Sequence, residues 1–296
     1  MRKNITLIAG PTASGKSALA RQIAAESGGV VVNTDSMQVY DVLYILTARP
    51  SLEDMEGLPH FLFGHVAPSS LYSTGKWLAD ASALIEDPAL HGRHLVFVGG
   101  TGMYFRALLG GMSQIPEIAP EVRQFWREEI AARGPEALHG ELTRRDAETA
   151  ARLKPQDSQR IARALEVHTS SGVPISVWQK QKGQPLVDGA AARKIRLIPN
   201  RQLLRERIDR RFAVMAGAGA VEEVQRLLAL NLDPALPAMK AIGVAEIAGW
   251  LRGEWTLPEA VARASAATRQ YAKRQETFLR HQMGEEWQRM QPGFRV

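Results

Sequence analysis

The most constraining feature of this chain is one octapeptide, Gly10-Pro11-Thr12-Ala13-Ser14-Gly15-Lys16-Ser17. It fits G-x-x-x-x-G-K-[ST], the phosphate-binding P-loop, and it has the flanks that motif requires. Before it, Asn4–Ala9 (NITLIA) is a short apolar run bounded by Gly10 and Pro11, as expected of a buried parallel strand. After it, Ser17–Ser27 (SALARQIAAES) is rich in helix formers and is stopped by Gly28-Gly29. Glycines let the backbone wrap a phosphate, with successive N–H groups and the helix N-terminus aimed at it. Lys16 adds a mobile positive charge, and the Ser17 hydroxyl can ligate Mg²⁺. The loop does not name its ligand: ATP, GTP and a prenyl diphosphate all present adjacent phosphates.

Two more short apolar runs end in polar loops. Val30–Val32 leads into Asn33-Thr34-Asp35, and Leu95–Val98 into Gly99-Gly100-Thr101-Gly102. With a further strand at Lys194–Pro199, the order strand, helix, strand predicts an α/β fold with a parallel sheet, and ligands bind beyond the carboxyl ends of such strands. The three polar endings should therefore meet on one edge. From Pro116 the pattern turns helical, at about 119–132, 135–144, 146–152, 157–171 and 174–182, with no convincing strand. The expectation is a P-loop NTPase-like core of residues 1–115 and 191–296, with a helical insertion at 116–190. Beyond Arg201 the chain reads as helical to about Gln291.

Composition narrows the class. The 296 residues are 45% hydrophobic and 23% charged, ordinary for a globular protein, and include no cysteine, which excludes disulfide scaffolds and Cys-ligated metal sites. No apolar run is long enough to span a membrane. The N-terminal MRKNITLIAG runs into the glycine loop with no small-residue cleavage site, so no signal peptide is expected and the protein is placed in the cytoplasm, as a monomer. Residues 193–296 carry 18 Lys and Arg against 11 Asp and Glu, whereas residues 1–192 carry 19 against 20. That asymmetry fits a polyanionic partner, and equally an arginine-rich solvated surface.

An NTPase would place an acid after an apolar strand, but Leu95–Val98 ends in glycines. The acid is Asp35, one strand after the P-loop. Across from the phosphates it could act as a base toward an acceptor; alone, it reads equally as a cap or turn residue.

Seven segments, in order, resemble the tRNA dimethylallyltransferase (tRNA isopentenyltransferase) family: GPTASGKS (10–17), DSMQVY (35–40), GGTGMYFRALL (99–109), PEVR (120–123), DSQRIARALEV (157–167), RERIDRRFAVM (205–215) and ATRQYAKRQETFLR (267–280). The resemblance implies transfer of a dimethylallyl group from dimethylallyl diphosphate to the exocyclic amine of the adenosine 3′ to the anticodon, in tRNAs reading codons that begin with U. It implies Asp35 as general base and Gly10, Pro11, Thr12, Ala13, Ser14, Gly15, Lys16 and Ser17 around the diphosphate, with Mg²⁺ and Arg211. Thr101 would stand at the reacting centre. Asp35, Ser36, Met37 and Gln38 would hold the flipped adenine. Arg123, Gln159, Arg160, Ile161, Ala162 and Arg163 would contact the anticodon stem-loop. Arg160 and Arg163 share a helix face, as do Arg207 and Arg211, and Arg269 and Lys273 begin a basic stripe suited to an RNA backbone. Met215, Tyr271 and Phe278 read as core.

One stretch departs from the family pattern. Where it usually reads Y-K-G-M-D-I-G-T-A-K-P, this chain has Tyr40–Pro50, Y-D-V-L-Y-I-L-T-A-R-P, with Val42 and Leu46 in place of glycines. A loop of different shape is expected, with consequences for acceptor choice or rate. In Gly64-His65-Val66, where the family is usually acidic, His65 reads as a loop residue. Rival readings are a P-loop small-molecule kinase, a prenyltransferase acting on AMP or ADP, and a non-catalytic RNA-binding protein.

Overall fold

A computed structural model describes residues 4–181 and 183–292. The basic N-terminal residues Arg2 and Lys3, and Lys182 at the end of the expected 174–182 helix, lie outside the described residues. Six strands form one parallel sheet among the described residues, in the order β3-β2-β4-β1-β5-β6. The chain enters it through β1 (Ile5–Ala9), α1 (Lys16–Ser27), β2 (Val30–Asn33), a short turn of helix α2 (Leu52–Met55), β3 (His60–Phe61), α3 (Thr74–Glu86), β4 (Leu95–Gly99) and α4 (Gly102–Gly110). It returns through β5 (Arg193–Leu197).

The sheet is apolar on both faces because alternate side chains point to opposite sides. Leu7, Val32 and Phe97 join one core with Trp77 and Leu108, while Ile8, Val31, Val96 and Ile195 pack against Leu19, Ile23 and Ala24 of α1. Register aligns the strand ends: Ala9 stands opposite Gly99, and Asn33 opposite Val98. Backbone bonds tie the endings together, Gly10 N to Gly99 O at 3.3 Å, Thr34 N to Val98 O at 2.8 Å and Thr101 N to Thr34 O at 3.1 Å. The three polar loops thus share one sheet edge.

The chain divides into two compact units, Met1–Leu109 with Leu186–Val296, and Gly110–Pro185. The second unit is helical: α5 (Pro120–Arg133), α6 (Pro135–Arg145), α7 (Ala147–Ala150), α8 (Ser158–Ser171) and α9 (Ile175–Lys180). Its core is Ile118, Trp126, Leu138, Leu142, Ile161 and Leu165. On α8, Ile161, Ala164 and Leu165 follow the i, i+3, i+4 spacing of a buried stripe.

The last third is not helical to Gln291 as expected. Helices α10 (Arg201–Met215), α11 (Val221–Ala229), α12 (Val244–Leu251) and α13 (Leu257–Gln282) are followed by β6 (Gln288–Met290), which pairs with β5. Both β6 and β3 were missed. Each is too short for a period-2 signal, and Gln288-Arg289 reads as a solvated helix end until the sheet supplies its partner. Among the described residues no helix is long and apolar enough to cross a membrane.

Candidate active site

The P-loop is shaped by two left-handed residues, Ala13 at φ 61° and Gly15 at φ 87°. Such a conformation costs a non-glycine residue about 1–3 kcal/mol, a kind of strain that gathers at functional sites. Gly10 is needed for space: a Cβ there would lie 2.8 Å from Ser14 Oγ and 3.1 Å from Leu197 Cβ. The Ser14 hydroxyl is fully buried and meets no hydrogen-bond partner among the described residues. An orphan donor inside such a curled glycine loop is what an anion would satisfy. Lys16 Nζ bonds Pro11 O at 3.3 Å. Desolvation pulls its ammonium down to about 8; Asp35 opposes this shift and Arg211 adds to it.

Asp35 is both a turn residue and a lining group. Its backbone is fixed by Asn33, whose Oδ1 accepts from Asp35 N at 2.8 Å and whose Nδ2 donates to Asp35 O at 2.9 Å. Its Oδ1 accepts from Met37 N at 3.0 Å, leaving Oδ2 without a hydrogen-bond partner among the described residues. Thr101, between β4 and α4, accepts from Ser36 N at 2.9 Å through Oγ1. It thereby pins the Asp35–Gln38 segment to the third strand end.

Two hollows meet here. The first, about 360 Å³, holds the P-loop residues Thr12–Ser17 together with Gln38, Arg207 and Arg211. The second, about 290 Å³, has an apolar side of Leu46, Ile208, Phe212 and Met215 and a polar side of Ser36, Tyr271 and Arg274. Thr12, Ala13, Asp35, Thr47 and Arg211 line both. The carboxylate and the guanidinium thus stand where the recess of the 10–17 loop meets an apolar cavity. Arg211 Nη2 donates to Thr47 O at 3.4 Å. Burial lowers the guanidinium's pKa, and the Asp35 charge opposes that.

Two groups on α13 were not assigned by sequence. Gln275 is buried and bridges two strand endings: its Oε1 accepts from Thr12 N at 2.8 Å and its Nε2 donates to Gly100 O at 3.1 Å. Gly100 leaves it room, since a Cβ there would lie 1.9 Å from Nε2. Gln275 lies within the TRQYAKRQ segment, but nothing in the helical period marks a buried glutamine as a tie between two strand ends. Tyr271, expected in the core, lines the cavity instead, with its hydroxyl beside Thr101 and Gln275 and its acidity suppressed by burial. Its seven-residue spacing from Phe278 puts both on one helix face. Only Phe278 packs on the core, beside Gly102. Met215 is buried yet also forms cavity wall.

The remaining expected contacts lie elsewhere. Arg123, Gln159, Arg160, Ala162 and Arg163 belong to the second unit, outside the hollow around Asp35. Arg160 pairs with Asp157 at 3.2 Å and Arg163 with Glu166 at 3.4 Å, both at the surface. Ile161 is a correction: it is fully buried in that unit's core, because the stripe that packs α8 runs through it, so its side chain does not face RNA. On α13 the basic stripe is partly engaged, with Arg269 paired to Asp209. His65 sits in a loop, bonded to Tyr72 and Asp80.

The departing loop, Tyr40–Pro50, takes a left-handed φ only at Ala48 (47°), so Val42 and Leu46 are unstrained in the places of glycines. Arg49 holds it from within, donating to Tyr40 O at 3.2 Å and Asp41 O at 3.3 Å.

With this geometry, the chain matches the family model described as IPP transferase over residues 38–282, and that described as isopentenyl transferase over residues 3–63. The chain belongs to the IPP transferase family. It is 59% identical over 290 residues to a tRNA dimethylallyltransferase of Chelativorans sp. (strain BNC1), covering 98% of this chain and 99% of that protein. It is 54% identical to the tRNA dimethylallyltransferase of Rhizobium meliloti (strain 1021), covering 96% and 94%. Among solved structures it resembles a eukaryotic dimethylallyltransferase acting on tRNA, with TM-score 0.78, 28% identity, and 94% and 70% of the two chains covered. It also resembles the full-length tRNA isopentenylpyrophosphate transferase of Bacillus halodurans, with TM-score 0.68, 30% identity, and 98% and 90% covered. As a member of this family the chain is a prenyl-transferring enzyme.

Proposed function

We propose that this enzyme moves the dimethylallyl group of dimethylallyl diphosphate to the exocyclic amine of the adenosine 3′ to the anticodon, in tRNAs reading codons that begin with U. The observation that carries this reading is the seam, where Asp35 and Arg211 line both a phosphate recess and an apolar cavity. A prenyl diphosphate has the same two-part chemistry, an anion joined to a hydrocarbon.

In the reaction the amine nitrogen bonds to the allylic carbon as the carbon–oxygen bond to diphosphate breaks. The electron pair of that bond leaves with the diphosphate. The P-loop N–H groups, Lys16 and Arg211 stabilise that charge, and losing one such donor commonly costs about 10²–10³-fold in rate. The amine must shed a proton as it attacks, and Asp35 Oδ2, without a hydrogen-bond partner among the described residues, receives it. Thr101, Ser36 and Gln38 orient the acceptor base, which must leave the anticodon loop to reach this edge. The recess suits magnesium, which takes oxygen ligands from few side chains and from substrate phosphates: the Ser17 hydroxyl would hold it there. When bound there, the ion supplies charge neutralisation to the diphosphate. Arg123, Arg160 and Arg163 contact the tRNA stem-loop, and the enzyme works as a monomer in the cytoplasm, where its acceptor is.

Radiolabel transfer tests the reading. Protein, magnesium and labelled dimethylallyl diphosphate are incubated with an unmodified tRNA whose anticodon is followed by adenosine, and separately with AMP. Label on the tRNA alone is the expected result. Label on AMP, or on neither acceptor, overturns the choice of tRNA.

A further inference from the structure

Glu223, in the first turn of α11, is a carboxylate 1% exposed. No cation pairs with it among the described residues. Instead it accepts hydrogen bonds from three consecutive backbone N–H groups of the departing loop: Tyr44 at 2.9 Å and Ile45 at 2.6 Å on Oε2, and Leu46 at 3.0 Å on Oε1. A carboxylate this far from water is tolerated only when hydrogen-bonded, and bonds to a charged acceptor are the strong ones. Glycines on two sides let the loop approach closely. A Cβ at Gly219 would lie 2.9 Å from Ile45 Cδ1, and one at Gly243 would lie 2.6 Å from Leu46 Cδ2.

The loop then holds two groups of the site. Thr47 O accepts from Gln38 Nε2 at 2.9 Å and from Arg211 Nη2 at 3.4 Å, and Ala48 O accepts from Gln38 Nε2 at 3.0 Å. Thr47 itself lines both hollows. A short covalent path therefore runs from the amides held by Glu223 to the carbonyls that hold Arg211 and Gln38.

We propose that Glu223 is a positioning residue for the transfer: by clamping the Tyr44–Leu46 amides it fixes the Thr47 and Ala48 carbonyls, and through them Arg211 and Gln38. This rests on the diphosphate role given to Arg211 above.

The test is calorimetric titration with inorganic diphosphate of four proteins: wild type, Glu223→Gln, Arg211→Lys and the double variant. It needs neither tRNA nor turnover, so failure of the acceptor reading does not touch it. Glu223→Gln should weaken diphosphate about tenfold, the worth of one charge-assisted hydrogen bond. Arg211→Lys should weaken it by at least as much. The double variant should bind within about twofold of Arg211→Lys alone, because the second change leaves nothing to position. A carboxylate that serves only the fold gives losses that multiply. Multiplying losses, or a Glu223→Gln protein that binds diphosphate as wild type does, overturns the proposal. Should Glu223→Gln fail to fold, Glu223→Asp, which keeps the charge and shortens the reach, is read by the same coupling with Arg211→Lys. A wild-type protein that binds no diphosphate overturns the donor reading and this proposal together.

Discussion

The recess of the 10–17 loop and the apolar cavity share five residues yet are built in different ways. The floor of the recess is local: consecutive residues from Gly10 to Ser17 supply the backbone curl, the buried hydroxyl and the ammonium, and Gln38, Arg207 and Arg211 close it from other elements. The cavity is assembled, with Leu46 and Thr47 from a loop, Ile208, Arg211 and Phe212 from α10, and Tyr271 and Arg274 from α13. The curl of the loop is set by its own residues, whereas the groups that close the recess and wall the cavity depend on struts such as Gln275 and Glu223. Perturbations that strike the seam, a strut or the outer surface should therefore differ in size.

The largest effect belongs to the seam. Asp35→Asn removes the proton acceptor while preserving shape and the bond to Met37 N, so kcat should fall about 10²–10⁴-fold. Affinity for tRNA, measured by filter binding, should stay within about threefold of wild type, since the amide can still meet a base edge. A parallel collapse of binding would make Asp35 a recognition residue and dissolve the distinction between the walls.

Next comes the strut. Gln275→Ala strips partners from the Thr12 N–H and the Gly100 carbonyl at once. Each orphaned buried group costs about 1–3 kcal/mol, read as a loss in urea unfolding, and diphosphate binding should weaken because Thr12 belongs to the recess. Gln275→Glu keeps the acceptor for Thr12 but cannot donate to Gly100, so it should restore diphosphate affinity more than stability. Equal recovery of both would mean that the strut does not link the two walls.

Smaller still at neutral pH, and more diagnostic, is the lysine. Burial holds Lys16 at about 8, so the free enzyme loses this charge as pH rises through 8. The donor's kcat/KM should then decline, by about tenfold per unit at the steepest, and Lys16→Arg should flatten that limb. Stability should move the other way. Between about 8 and the ordinary lysine value of 10.5 the unfolded chain holds a proton the folded chain has shed, so the unliganded protein should gain stability with pH there. Activity and stability falling together above pH 8 would assign the limb to unfolding instead.

The same division explains what could be read from the sequence. The recess, Asp35 and the parallel sheet were legible because each is a contiguous signal: a fixed-spacing motif, a polar stop after an apolar run, β-branched strands. Gln275, Glu223 and Tyr271 were not, although Gln275 and Tyr271 lie within the segment 267–280 that resembles the family. Their roles depend on partners 170 or more residues distant, such as Thr101 for Tyr271 and Tyr44 for Glu223, and the helical period says only which face they share. Ile161 failed for the reverse reason: proximity to Arg160 and Arg163 placed it with them, but the stripe that packs α8 claims every third or fourth residue for the core.

The smallest effects should come from the surface of the helical unit. Arg160 and Arg163 spend their charge on Asp157 and Glu166 in ion pairs of 3.2 and 3.4 Å, and exposed pairs of this kind contribute about 0–1 kcal/mol. Arg160→Ala should leave the unfolding midpoint close to wild type, because nothing in the core of that unit rests on it. If Arg160 contacts an RNA phosphate, the slope of log affinity for tRNA against log salt should shrink by about one, uniformly across tRNA sequences. Ile161→Ala makes the internal contrast: it should cost about 2–5 kcal/mol of stability by opening a cavity in that core, with an unchanged salt slope in the protein that remains folded. An unaltered slope in Arg160→Ala would leave that arginine a surface ion pair and move the search for RNA contacts to Arg123, for which no ion pair is found among the described residues.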